Sequence, residues 1–154
     1  MRQGVELSFD SELGAGLSAR LALTSLRAIY SQAFGNVREG SRLPGVPSSN
    51  MFGELAWKNH DGSIDAALET IASSKVYAED SNIEIPAPGY ALANLRLQGR
   101  RAYGGWLLKA FVRINNLADK QYIGSVIVGD ANKRYYEAAP GRTFMAGTSA
   151  QFTF

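Results

Sequence analysis

Cysteine is absent from the 154 residues, which excludes disulfide frameworks, thiolate catalysis and Cys-type zinc sites. Histidine occurs once, at His60, so no Ser-His-Asp set can be assembled around it. No apolar run approaches the roughly 18 residues of a membrane helix. That excludes helical spans only, because the strands of a membrane barrel alternate and give a weak hydropathy signal. Charge of one sign is also scarce. The net charge is +2 and the Lys and Arg residues are scattered, which argues against a nucleic-acid partner. No secretory leader is visible, since Met1-Arg2-Gln3-Gly4 runs straight into an alternating segment. An exported chain of this kind is expected to be missing its beginning.

What is present is glycine and aromatics: 16 Gly, seven Phe, seven Tyr and two Trp, a composition suited to strands. The chain is organised around its last stretch, Gly141 to Phe154 (GRTFMAGTSAQFTF). Phe144, Ala146, Thr148, Ala150, Phe152 and Phe154 share one parity. Met145, Gly147, Ser149, Gln151 and Thr153 share the other. Successive side chains of a strand point to opposite faces, so this is one greasy face and one small or polar face. Aromatics so near a terminus suit a lipid-facing strand of an outer-membrane barrel. The other reading is the terminal strand of a soluble sandwich.

The same period of two runs through the chain. Val5, Leu7 and Phe9 alternate with Glu6, Ser8 and Asp10, and a Gly-bearing turn (Ser11–Gly16) follows. Leu17, Ala19, Leu21 and Leu23 alternate with Ser18, Arg20, Ala22 and Thr24, favouring a strand over a helix for Leu17–Tyr30. Ala33–Ser49 reads as a loop. Met51–Lys58 and a strand from Ile64 to about Tyr77 flank Asn59-His60-Asp61-Gly62, a tight turn with an Asp-Gly hairpin signal. Ala78–Pro88 is a polar loop, Tyr90–Gln98 a strand, and Arg100–Gly105 a turn. Trp106–Asn115 is the sixth strand, and about Leu117 to Pro140 leads to the last.

These are about seven antiparallel strands in an all-β chain. Turns after strands one, three and five are short, and loops after strands two, four and six are long, the asymmetry of a transmembrane barrel. Bacterial barrels have an even strand count, so an odd number implies the closing part of a larger barrel. Chemistry-bearing groups are few. His60 reads as a solvated turn residue, and Asp65 and Glu69 share a wet face. Gly129-Asp130-Ala131-Asn132 lacks the further acids of a calcium loop and reads as a turn. Tyr77, Tyr122, Tyr135 and Tyr136 read as an interfacial girdle, with ligand contact as the alternative. No catalytic, cofactor or metal site is indicated, so the chain does not read as an enzyme.

Four stretches resemble the C-terminal end of TonB-dependent outer-membrane receptors: Arg42–Pro47 (RLPGVP), Tyr90–Arg96 (YALANLR), Val112–Tyr122 (VRINNLADKQY) and the terminal GRTFMAGTSAQFTF. In physical terms, Asn115 and Asn116 can bond backbone groups where a strand leaves the membrane, and Gly141-Arg142 re-enters it. The resemblance implies a 22-stranded barrel of which residues 1–154 are the closing part, with the plug and early strands lying elsewhere. It implies uptake of ferric siderophores, cobalamin or a similar scarce ligand, energised by TonB through the plug-bearing part. It further implies an outer-membrane lipid environment and barrel assembly through a terminal aromatic, here Phe154. The alternative is a free-standing small barrel or sandwich acting as a structural or binding module.

Three further expectations follow. Leu21, Leu55, Leu68, Leu95, Leu108 and Phe152 should share the lipid face, and Arg20, Glu54, Asp65, Arg96, Lys109 and Gln151 the lumen face. Val5–Asp10 and Thr143–Phe154 should be the two edges of the sheet. The outer loops Phe34–Pro47, Ala78–Pro88 and Ile123–Pro140 should be untethered, offering Arg38, Arg42, Lys133, Arg134, Tyr135 and Tyr136 to an anionic chelate without assembling a tight or transport-competent site.

Overall fold

The computed structural model describes residues 1–153, so the expectation placed on Phe154 lies outside the described residues. Nine strands follow one another: β1 (Arg2–Gly14), β2 (Leu17–Ala28), β3 (Ser49–Lys58), β4 (Ile64–Ser73), β5 (Tyr90–Tyr103), β6 (Trp106–Asn115), β7 (Ile123–Val126), β8 (Tyr136–Ala138) and β9 (Thr143–Phe152). Seven form one antiparallel sheet in the order β1-β2-β3-β4-β5-β6-β9, and β7 with β8 makes a separate hairpin. The all-β meander is as expected, with β1 and β9 at its edges.

Directly paired residues share a face, so the registers sort the side chains. Leu55 stands opposite Leu68, Leu68 opposite Leu95, Leu95 opposite Ile114 and Ile114 opposite Phe144. On the other face Asp10 stands opposite Arg20, Arg20 opposite Glu54 and Glu54 opposite Glu69. Every residue assigned to either face by periodicity falls on the expected side. The leucine face is open, with Leu55 48% and Leu68 44% exposed, whereas Glu69 on the charged face is 7% exposed. Among the described residues no large side chain is fully buried, and the buried apolar ones are mostly small, such as Ala28 and Ala67. A soluble two-layer domain would cover its apolar face with a second layer. Among the described residues the only other sheet is the short β7–β8 hairpin.

The connections divide by end. Ala15-Gly16, residues 59–63 and Gly104-Gly105 close the short turns, while residues 29–48, 74–89 and 116–142 form the long loops. Gly104 and Gly105 have φ of 54° and 81°, the mirror-turn geometry of two-residue hairpins, where glycine carries no steric penalty.

Several boundaries differ from those read in the sequence. β1 and β5 run longer than expected, to Gly14 and Tyr103, because β2 and β6 supply hydrogen-bond partners along that extra length. β4 stops at Ser73 instead of near Tyr77, because its neighbours reach no further: β3 begins at Ser49 and β5 at Tyr90. The Asp-Gly pair sits inside a five-residue turn, residues 59–63, one residue longer than the Asn59–Gly62 turn read in the sequence. Asn59 sets that length, its side chain accepting from the Ile64 amide and donating to Ser63 Oγ, both at 2.9 Å.

Candidate functional site

The three long loops lie at one end of the sheet and are stitched together, contrary to the expectation that they are untethered. Asn82, at the tip of the middle loop, accepts from the Arg42 amide at 2.6 Å and donates to the Arg42 carbonyl at 3.0 Å. Its φ of 56° is left-handed, a conformation asparagine tolerates better than most residues. Tyr30 donates to Asp80 at 2.6 Å, and the Gly45 amide donates to the Tyr77 carbonyl at 2.8 Å. On the other side of the middle loop Lys133 pairs with Glu84 at 2.8 Å, Tyr136 donates to the Ile85 carbonyl, and the Gly129 amide reaches the Ala78 carbonyl. Loop polar groups that would otherwise be satisfied by water are satisfied by neighbouring loops.

The third loop is also closed on itself. Asn116, buried and at φ 54°, accepts from the Lys120 amide at 2.9 Å and donates to the Lys120 carbonyl at 2.8 Å. This is the backbone bonding expected of the Asn-Asn pair. Asn115 departs from it, donating to Thr143 Oγ1 and accepting from Arg113. Asp119 receives the Arg142 amide at 2.7 Å, and Arg142 donates to the Leu117 carbonyl at 2.6 Å, fixing the point where β9 begins. Asp130 does the work of a turn, accepting from the Arg134 amide at 2.7 Å.

The six residues considered for ligand contact fall in two groups with the middle loop between them. Arg38 is exposed, and Arg42 is half-buried with its backbone held by Asn82. Lys133 is committed to Glu84, whose hydrogen bond raises the lysine above its ordinary range. Arg134 is exposed. Tyr135 is buried at 9% exposure, edge-on to Tyr136 at 6.0 Å between ring centroids. Tyr136 is pushed above the usual phenol range by burial first and then by the nearby Glu84 charge. The loops together hold seven Lys or Arg and seven Asp or Glu, a net charge of zero. His60 is exposed in its turn at the opposite end of the sheet.

Below the loops, an ion-pair ladder crosses the charged face. Asp10 pairs with Arg20 at 2.7 Å, and Arg20 lies 3.9 Å from Glu54. Arg96 lies 3.6 Å from Glu54, 2.8 Å from Asp65 and 3.9 Å from Glu69. Glu69 takes both arms of Arg113, one at 2.8 Å. Sequence periodicity had placed these charges on one face without identifying their partners. Among the described residues no cluster of acidic or imidazole groups could hold a metal ion.

No family model matches the chain. Solved structures do. The siderophore receptor PiuA from Acinetobacter baumannii superposes over 97% of this chain and 22% of its own, with a TM-score of 0.77 at 19% identity. The chain has the fold of a siderophore-receptor barrel segment. The ferric citrate transporter FecA gives a TM-score of 0.82 over 97% of this chain and 24% of its own, at 19% identity. The copper transporter OprC gives 0.66 over 99% and 24%, at 21% identity. The resemblance to TonB-dependent receptors thus holds at the level of the fold, and the chain spans about a quarter or less of these proteins. The cargoes in their names differ at similar identity, so the fold does not fix a ligand.

Proposed function

We propose that residues 1–154 form the closing segment of an outer-membrane receptor barrel that takes up a scarce metal chelate of the siderophore kind. On this reading the segment contributes lipid-facing wall, lumen lining and three outer loops. The plug, the contact to TonB and the remaining strands belong to the rest of the receptor, and the chain alone carries neither transport nor catalysis. Arg38, Arg42 and Arg134 are the groups offered to an anionic chelate, with Lys133, Tyr135 and Tyr136 building the loop wall behind them. The C-terminal aromatic Phe154 would serve the assembly machinery.

One observation carries the reading: a seven-strand antiparallel sheet exposes an apolar face, charged only toward its rims at Arg27 and Arg101, and carries a ladder of ion pairs on the other. Lipid is the solvent that such a wall fits, since backbone groups inside the sheet are satisfied by the ladder. The absence of native cysteine makes the test clean. Leu97→Cys and Gln98→Cys place a fluorophore on adjacent residues of β5 facing opposite ways. After insertion into vesicles of brominated lipid, the probe at position 97 should be quenched and the probe at 98 spared. Equal quenching at the two positions would refute the barrel wall.

A further inference from the structure

The apolar face carries two charged residues within its strands, Arg27 at the loop end and Arg101 at the short-turn end. Arg101 stands opposite Leu108, which stands opposite Ala150. The next row toward the turn is Tyr103, Trp106 and Phe152, with the Trp106 and Phe152 rings 4.9 Å apart. Aromatic rows of this kind mark the membrane interface. Arg101 therefore sits just on the hydrocarbon side of that interface. Among the described residues its guanidinium has no hydrogen-bond or ion-pair partner.

A groove of about 790 Å³ opens beside it. Its floor is Gly99, Ala110 and Ala150, whose small side chains leave a lane between Ile64 and Leu108. The lane exists because β5 continues four residues past Gly99, where its pairing with β4 ends, leaving a notch at the rim. Of the cations that line this groove, Arg101 is on its face of the sheet, whereas Arg100 and Lys109 are paired on the other face, and Asp61 is its one lining carboxylate. That carboxylate is already engaged, accepting the Ser63 amide at 3.0 Å, and it titrates below the usual range mainly because of that bond. Arg100 is held by the Gly62 carbonyl at 2.7 Å, which leaves Arg101 as the unpaired head of an apolar lane.

We propose that this groove binds an anionic phospholipid of the leaflet at the short-turn end, its phosphodiester on Arg101 and an acyl chain along Gly99, Ala110 and Ala150. A planar guanidinium matches two phosphate oxygens at once, and at this depth no water shell competes fully for it. The lane supplies apolar contact that a free phosphate could not use. This inference rests on the barrel reading.

The test uses the full chain folded in zwitterionic detergent and titrated with dioctanoyl phosphatidylglycerol or dioctanoyl phosphatidylcholine, with retained lipid read by native mass spectrometry. Phosphatidylglycerol should bind about fivefold more tightly, the scale of one basic group near an anionic lipid. Arg101→Ala should abolish that preference, and Arg101→Lys should restore part of it. Ala110→Leu, on the open face, should fill the lane and weaken both lipids. Equal binding of the two lipids by the native chain, or a preference that survives Arg101→Ala, overturns the site. So does a second copy of the chain retained there in place of lipid. The quenching contrast between positions 97 and 98, measured in parallel in brominated-lipid vesicles, separates the two failures. Loss of that contrast sinks the barrel wall and this site together, whereas its persistence without lipid preference sinks the site alone.

Discussion

At the scale of the residue, Asn82 joins two loops through both ends of one amide, in a backbone conformation that most side chains resist. Asn82→Gly keeps the left-handed backbone and removes the bonds, and should cost about 1 kcal/mol of local stability. Asn82→Ala adds strain and should cost about 2 kcal/mol. Hydrogen exchange at the Arg42 amide would measure both, and equal protection in all three proteins would show the bridge to be idle. Glu79 supports the same loop from below. Partial burial pushes its carboxyl upward, but hydrogen bonds from the Ser81 hydroxyl and the Glu84, Ser81 and Ile83 amides outweigh this, so it titrates below the usual range. Its stabilising effect is therefore complete above the ordinary glutamate value of about 4.3 and is lost as pH falls through the lower folded value. Exchange at the Ser81 and Glu84 amides should be flat from neutral pH down to about 5, after correction for intrinsic rates, and rise below about 4. None of this was legible in the sequence. Ala78–Pro88 showed a polar loop, but a bond from Asn82 to a backbone 40 residues away leaves no periodic trace.

Strands were the legible level, because alternation is local and needs no knowledge of the partner. All twelve residues assigned to a face, from Leu21 to Phe152 and from Arg20 to Gln151, fell where a period of two put them. Strand ends were not legible, because they depend on how far the neighbour reaches. Tyr103 is in a strand because Trp106 is there to pair with it, and Lys75 is outside one because β3 begins at Ser49 and β5 at Tyr90, leaving it no partner. The ladder lies between these cases, its residues visible and its pairing not. Glu69 is its most enclosed acid, facing Arg113 and Arg96 at once. Glu69→Gln keeps the shape and leaves two guanidinium groups short of charge. Breaking a buried pair costs roughly 3–5 kcal/mol, but the Arg113 side chain is 27% exposed, so a loss of about 1–3 kcal/mol is expected. Urea unfolding in micelles would read it, and an unchanged midpoint would mean that water on the charged face compensates fully.

For the whole molecule, the division of short turns and long loops between the two ends of the sheet was legible in the sequence, whereas the coupling of the long loops to one another was not. That coupling bears on what the chain can bind. Stitched loops hold a fixed outer surface, but the seven cations on them are balanced by seven carboxylates, and Lys133 is spent on Glu84. An anionic chelate therefore meets no net field, only local contacts from Arg38, Arg42 and Arg134. Exposed pairs of that type contribute about 0–1 kcal/mol each, whereas micromolar binding requires about 8 kcal/mol. Three such contacts fall well short even with a tyrosine wall behind them. Titration of the folded chain with a panel of ferric siderophores and cobalamin should accordingly show no saturation at or below about micromolar concentration. The opposite result would be informative in a specific way. Saturable binding abolished by Arg134→Ala, and weakened by Tyr136→Phe through loss of the bond to Ile85, would show that the stitched loops form a competent site without a plug.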